Sequence, residues 1–432
     1  MADSKLQHIA LISVHGDPAI EIGKEEAGGQ NVYVRHVGEA LAQQGWQVDM
    51  FTRKVNASDP TIVEHSPNCR TIRLTAGPEE FIPRDSLFEY LPEFVAGFLK
   101  FQKESDLKYP LVHTNYWLSS WVGMQLKQIQ KVKQVHTYHS LGAVKYKSVT
   151  TIPLIATKRL ETEKLLLETA DRVVATSPQE KEHMRSLVSL KGNIDIIPCG
   201  TDISRFGQIS QEAAREKLGI NAESKVVFYI GRFDRRKGIE TLVRAVSRSQ
   251  LRGQADLKLI IGGGSRPGES DGLERDRIEG IVDELGMTEI TTFPGRISDE
   301  DLPLYYAAAD VCVVPSHYEP FGLVAIEAMA SRTPVVASDV GGLQFTVIPE
   351  KTGLLCPPKK EIAFGEAIDR ILADSQWRDL LGQNARRRVE DMFSWDGVAL
   401  QLSKLYSELL KPVSQKSEVR SQKSEVRFGN GA

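Results

Sequence analysis

Residues 311–340 read VCVVPSHYEPFGLVAIEAMASRTPVVASDV, and their order decides the fold. An apolar run over 311–314 stops at Pro315. A polar turn follows, helical spacing resumes at about Phe321, and a β-branched run over 334–337 comes directly after. Strand, loop, helix and strand in that order belong to a parallel α/β sheet, where ligands sit beyond the carboxyl ends of the strands. The turn is therefore placed at a ligand site. Glu319 lies in it, and Glu327 stands eight positions on, two turns into the helix. The N–H groups of Phe321, Gly322 and Leu323 are the expected open donors at the helix start, suited to an anion such as a diphosphate. A carboxylate beside a phosphate site calls for a ligand that also carries hydroxyls, so the pair points to phosphate plus sugar. Read alone, Glu327 is equally a solvated helix residue.

The alternation continues in both directions. Residues 226–230 form a β run ending in Gly231-Arg232-Phe233-Asp234-Arg235-Arg236-Lys237-Gly238. The run 257–261 ends in three glycines, the run 290–293 in Pro294-Gly295-Arg296-Ile297, and 352–356 is the last. Upstream, over 201–225, the β runs cease and a polar linker with a short helix (210–218) intervenes. Before it lie runs at 8–16, 48–52, 69–74, 111–115, 133–138, 171–176 and 194–198, with helical spacing over 30–44, 87–101 and 152–169. A loop over 17–29, rich in glycine, opens the first helix at Gly28-Gly29-Gln30, which suits either close backbone approach to a phosphate or a plain turn. The pattern predicts two doubly wound domains, 1–205 and 206–393, facing across a cleft. Helices over 361–392 precede Trp395 and a last amphipathic helix over 394–411. The remaining 412–432 contain SQKSEVR twice, with too little apolar surface to pack, and are expected to be disordered.

Composition narrows the class. A chain of 432 residues, 41% hydrophobic, has room for two cores, and a net charge of −3 offers no basic footprint for nucleic acid or anionic membrane. No apolar run is long enough to span a bilayer, and residues 1–10 lack a signal-peptide core. Four scattered cysteines have neither disulfide-frame nor zinc-site spacing, so a cytoplasmic enzyme is expected.

Arg232 and Lys237 lie five apart where a strand passes into a helix. Two cations and a helix start can neutralise a departing diphosphate, although RFDRRKG is also readable as a solvated basic turn. With EPFGL, EAMA and PVVASDVGG beside it, the chain resembles the retaining nucleotide-sugar glycosyltransferases of family 4, which have the GT-B fold. Their signature is a Glu, seven residues and a second Glu, as Glu319 and Glu327 stand here; G-R-x-x-x-x-K-G matches 231–238, and A-G-G-Q-N-V-Y-V resembles their N-terminal glycine loop. The resemblance implies that Arg232 and Lys237 hold the diphosphate, Glu327 the ribose and Glu319 the donor sugar. It puts the base against backbone near Arg296 and Ile297, with Gly29 backing the diphosphate from the other domain. His139, in T-Y-H-S-L-G-A-V-K, would contact the 6-position of the donor sugar; by itself it reads as readily as a structural histidine. In this fold the last helix crosses back onto the first domain, near Trp395.

Segments around Gly28-Gly29-Gln30, Gly77-Pro78, Ile82-Pro83-Arg84, His139–Gly142 and Arg159–Glu163 resemble the sucrose-phosphate synthase subset, with inositol-phosphate glycosyltransferases near by. That resemblance implies transfer of glucose from UDP-glucose or ADP-glucose to fructose 6-phosphate. Gln30 and Gly28 would meet acceptor hydroxyls beside Tyr116, and Arg84 and Arg159 would grip the phosphate with Lys145 or Lys158 as helpers. Asn31–Val34 and Ala143–Lys145 lean toward the inositol-phosphate type, so inositol phosphate or free fructose stays open as acceptor. A catalytically idle nucleotide-sugar-binding subunit is the alternative of a different class. No Asp-x-Asp closes a strand, so no cofactor and no essential Mg²⁺ are expected; base preference and oligomeric state are left open.

Overall fold

The computed structural model describes residues 7–20, 28–148, 152–253 and 256–411, and two open sheets carry these. The first contains β1 (Gln7–Ile12), β2 (Trp46–Arg53), β3 (Ile62–Ser66), β4 (Cys69–Leu74), β5 (Leu111–Asn115), β6 (Lys133–Thr137), β7 (Arg172–Ala175) and β8 (Ile194–Ile196). Their spatial order is β3-β4-β2-β1-β5-β6-β7-β8. The second contains β9 (Lys225–Ile230), β10 (Leu257–Gly262), β11 (Thr291–Gly295), β12 (Val311–Val314), β13 (Val335–Ser338) and β14 (Gly353–Cys356), ordered β11-β10-β9-β12-β13-β14. All pairings are parallel except β3 with β4. Helices cover both faces, which is why β12 (VCVV) and β13 (VVAS) are buried along their whole length and read as unbroken apolar runs.

Both sheets follow the predicted doubly wound pattern, with two differences. β3 was not expected: IVEHS has no fully buried residue and lies at the sheet edge, so no apolar run marks it. Its turn back to β4 passes through Asn68 at φ 67°. The helix after β12 spans Leu323–Ala330 and so begins two residues later than its spacing suggested, because Gly322 caps it at φ 97°. The repeated tail and the residues around Gly23 lie outside the described residues.

Helix Trp395–Leu410 packs back on the first half, against helix Gly29–Gln43. Trp46 donates Nε1–H to Ser403 Oγ at 2.9 Å, and Tyr406 is hydrogen-bonded to His113 in β5 at 2.5 Å. The two chain crossings run side by side: Thr201 N–H donates to Phe393 O at 2.7 Å. Carboxyl ends of the two sheets face each other, and a Cβ built on Gly29 would stand 3.1 Å from Leu323 Cδ1. No helix among the described residues is long and apolar enough to cross a membrane.

Candidate functional site

The C-terminal wall of the cleft is three loops laced together by backbone. Asp234 caps the turn Arg235–Lys237 by accepting from Arg236 N–H at 2.9 Å. Gly238 follows at φ 69°, where a Cβ would lie 2.0 Å from Pro315 O, so only glycine lets this turn meet the end of β12. His317 N–H then donates to Arg236 O at 2.7 Å. From the other side, Gly342 N–H donates to Glu319 O at 3.0 Å, and a Cβ on Gly341 (φ 50°) would come within 2.2 Å of that same oxygen. The PVVASDVGG stretch is thus a cradle for Glu319.

Held this way, Glu319 Oε2 pairs with Lys237 Nζ at 2.7 Å and accepts from Ser316 Oγ at 3.3 Å. Arg232 stands at the same strand end with its guanidinium hydrogen-bonded to no described residue; burial, then the charge of Arg84 across the cleft, lowers its pKa. The later helix start corrects one expectation. Phe321 is buried 5.7 Å from the Phe393 ring, and the open N–H groups of the first turn belong to Leu323 and Val324. Glu327 faces the same space from the helix, its Oε2 accepting from Tyr306 Oη at 2.7 Å. Burial pushes its carboxyl up to about 7, against the Tyr306 hydrogen bond, which lowers it. Ile297 closes the wall with its Cδ1 2.6 Å from where a Gly262 Cβ would be, and Arg296 lies exposed beside it.

The N-terminal wall is assembled differently. His139 sits after β6 at φ 58°, its ring 4.8 Å from that of Tyr33. Its Nε2 meets Asn115 Oδ1 at 2.9 Å, while Asn115 Nδ2 turns toward the carbonyls of Ile12 and His113. That amide orientation assigns Nε2 as the donor and leaves Nδ1 as an acceptor. Burial holds the ring near pKa 3, so it is neutral and a weak base. Gln30 points its amide nitrogen at Ser13 Oγ (2.9 Å) and Asn115 O (3.5 Å), leaving Oε1 to accept. Gly28 precedes the helix in extended backbone (φ −148°).

Arg159 departs from the expectation. It is 1% exposed, and its guanidinium is occupied: Nε on Glu163 at 2.7 Å, Nη1 on Tyr116 Oη at 3.1 Å, Nη2 on Ser140 O at 2.6 Å. Glu163 in turn accepts from Gly142 N–H at 2.9 Å. The pair fixes the loop carrying His139 and is not open to a phosphate. Tyr116 is buried at φ 72° under this guanidinium. Arg84, by contrast, is exposed and hydrogen-bonded to no described residue. Lys145 is half-buried, and burial, with Arg159 and Arg84 next, lowers its pKa to about 8. Lys158 is exposed on the rim, 5.5 Å over the Phe88 ring. Sequence reasoning passed over His15, whose ring lies 4.5 Å from Tyr116, and Asn115, which orients His139. Both stand at strand ends, the only signal that marked them.

The description "Glycosyltransferase Family 4" matches residues 27–205, and "Glycosyl transferases group 1" matches 210–388. The D-inositol 3-phosphate glycosyltransferase of Corynebacterium efficiens is 36% identical over 409 residues, 93% of this chain and 95% of the relative. This chain belongs to the family 4 GT-B glycosyltransferases. Among solved structures, the glycosyltransferase is similar to the sucrose-phosphate synthase of Thermosynechococcus elongatus, with 55% identity, a TM-score of 0.86, and cover of 93% of this chain and 99% of that one. Anabaena HepE, 20% identical with a TM-score of 0.73 over 93% of this chain and 100% of that one, shares the fold. Binding a nucleotide-sugar donor and a sugar acceptor is generic for glycosyltransferases.

Proposed function

We propose that this glycosyltransferase moves glucose, with retention, from UDP-glucose or ADP-glucose to fructose 6-phosphate, giving sucrose 6-phosphate. The observation that carries this reading is the 55% identity to a sucrose-phosphate synthase along 93% of the chain, well above the 36% to an inositol-phosphate enzyme. Arg84 and Lys145, on the wall opposite Arg232, support an acceptor that itself carries phosphate.

In this reading Arg232, Lys237 and the N–H of Leu323 hold the diphosphate, and their fixed charge stabilises it as it leaves. Lys237 keeps one N–H on Glu319 and has two for phosphate oxygens. Glu327 accepts from the ribose hydroxyls, Glu319 from hydroxyls of the donor sugar, and backbone at Arg296 and Ile297 meets the base. Gly29 closes over the diphosphate. His139 Nδ1 accepts from the 6-hydroxyl; a ring near pKa 3 orients and does not abstract a proton. Gln30 and Gly28 line the acceptor, Arg84 and Lys145 take its phosphate, and Lys158 adds charge at the rim. Arg159 acts through Ser140 and Tyr116 as a positioning residue. The bond from the anomeric carbon to the β-phosphate oxygen breaks, the acceptor hydroxyl oxygen bonds to that carbon on the same face, and its proton passes to the departing phosphate oxygen.

Inositol phosphate as acceptor is the second reading, favoured by the 36% identity to the Corynebacterium enzyme. Nucleotide release measured for UDP-, ADP- and GDP-glucose against fructose, fructose 6-phosphate and inositol phosphate separates them. Turnover greatest with fructose 6-phosphate is the expected result; turnover greatest with inositol phosphate replaces it with the second reading.

A further inference from the structure

Resting on the reading that Glu327 takes the donor ribose, we propose that Tyr306 is the positioning residue for that recognition: its hydroxyl holds one oxygen of the Glu327 carboxylate, so that the other is presented to the ribose hydroxyls. Tyr306 lies on helix Leu302–Ala308, which follows the loop of Arg296 and Ile297. Its Oη donates to Glu327 Oε2 at 2.7 Å. Glu327 is only partly buried, and its Oε1 is hydrogen-bonded to no described residue. Ionised, that oxygen can only accept, which is what a pair of hydroxyl donors requires. With Oε2 tied, the carboxylate cannot turn freely, so its orientation is set before the donor arrives.

The tyrosine is itself held from several sides. It is fully buried, and its ring meets Phe228 of β9 edge-on at 5.4 Å and Phe206 at 5.6 Å. Thr333 Oγ1 donates to its carbonyl at 2.7 Å. Arg386 Nη1 reaches both Phe206 O at 2.6 Å and Ala330 O at 2.7 Å, which clamps the backing of the ring to the helix that carries Glu327. Packing alone would be served as well by phenylalanine. The hydroxyl has one hydrogen-bond partner among the described residues, and that partner is the carboxylate in the cleft. A buried hydroxyl costs free energy unless it is bonded, so its place here follows from Glu327. The charged groups that also act on Glu327 are Arg205 and Asp299, which pair with each other at 3.7 Å. Cys312 of β12 is a free thiol that burial keeps neutral.

The test sets UDP against its dideoxy form, which lacks both free ribose hydroxyls. Tyr306→Phe keeps the ring and is expected to lower the ratio of Kd for dideoxy-UDP over UDP by about fivefold, the range of one net hydrogen bond. In turnover the loss should fall on the donor KM and not on kcat. The hydroxyl lowers the Glu327 pKa, so without it the midpoint of UDP binding against pH should move upward, which lost packing would not do. Thr333→Val loosens the packing of Tyr306 without touching its hydroxyl and should leave the ratio unchanged. An unchanged ratio in folded Tyr306→Phe overturns the proposal, as does equal weakening of both ligands, a midpoint that stays in place, or an equal fall of the ratio in Thr333→Val. If Glu327→Ala lowers the ratio and Tyr306→Phe does not, the ribose reading of Glu327 stands and this inference fails. If Glu327→Ala leaves the ratio unchanged, the underlying reading fails first.

Discussion

The C-terminal wall of the cleft draws its charges from short loops at the ends of β9, β11 and β12, whereas the N-terminal wall gathers its own from separate segments between Gln30 and Arg159. On the first wall, backbone does the positioning. Gly238 and Gly341 bring carbonyls into contact with neighbouring loops, so Lys237 and Glu319 meet whatever the rest of the chain does. On the second wall, buried side chains do it: Glu163 and Arg159 hold the 140–142 loop, and Asn115 turns His139. Substitutions on the first wall should therefore reach turnover directly. On the second they should divide into those that unsettle the fold and those that affect the acceptor alone.

The largest effect expected from this contrast is on stability. Arg159→Met leaves Glu163 buried and unpaired, which costs about 3–5 kcal/mol. Chemical denaturation should show the loss, and a change under about 1 kcal/mol would mean the pair is not what holds that loop. Lys237→Met should leave stability near wild type and lower kcat by roughly 100- to 1000-fold, the range for removing one preorganised donor to a developing charge. Steady-state kinetics with saturating donor reads this directly, and a loss confined to KM would make the lysine a ground-state contact only. Arg84→Ala, on an exposed side chain, should alter stability by no more than about 0.5 kcal/mol and raise the acceptor KM about tenfold. An unchanged acceptor KM would remove the phosphate from the N-terminal wall.

The smallest effect is a pH dependence on the donor side. Burial raises Glu327 to about 7, so lowering the pH from 8 to 6 protonates it and removes an acceptor for ribose hydroxyls. The Kd of UDP should rise several-fold over that span, with a slope no steeper than tenfold per unit, and Glu327→Gln should flatten the curve. Stability of the unliganded protein moves the opposite way. With a folded pKa above the ordinary carboxylate value of 4.5, this carboxyl contributes stability that is full below about 4.5 and lost as pH rises through about 7.

The same contrast explains what the sequence made legible. β9, β12 and β13 are continuous apolar runs, and each ends in a loop whose glycines and charges are adjacent in the chain, so spacing marked Arg232, Lys237, Glu319 and Glu327 as candidates and the family resemblance supplied their expected roles. β3 had no such run, because an edge strand with no fully buried residue needs none. The start of helix Leu323–Ala330 was misplaced by two residues because Gly322 in the left-handed region, unlike a Ser or Asp cap, leaves no side-chain signature. Arg159 looked like a phosphate ligand because sequence reports charge and not burial. Its partner four residues on, Glu163, was visible as a helical pair, yet only packing against Tyr116 and Ser140 decides that the guanidinium faces inward.

The central claim is that the C-terminal wall grips the donor's diphosphate, and a crystal structure of the protein with UDP bound tests it most directly. The account expects phosphate oxygens within about 3 Å of the Arg232 guanidinium, the Lys237 ammonium and the Leu323 N–H. A diphosphate held elsewhere, with Arg232 and Lys237 both turned out of the cleft, would contradict it.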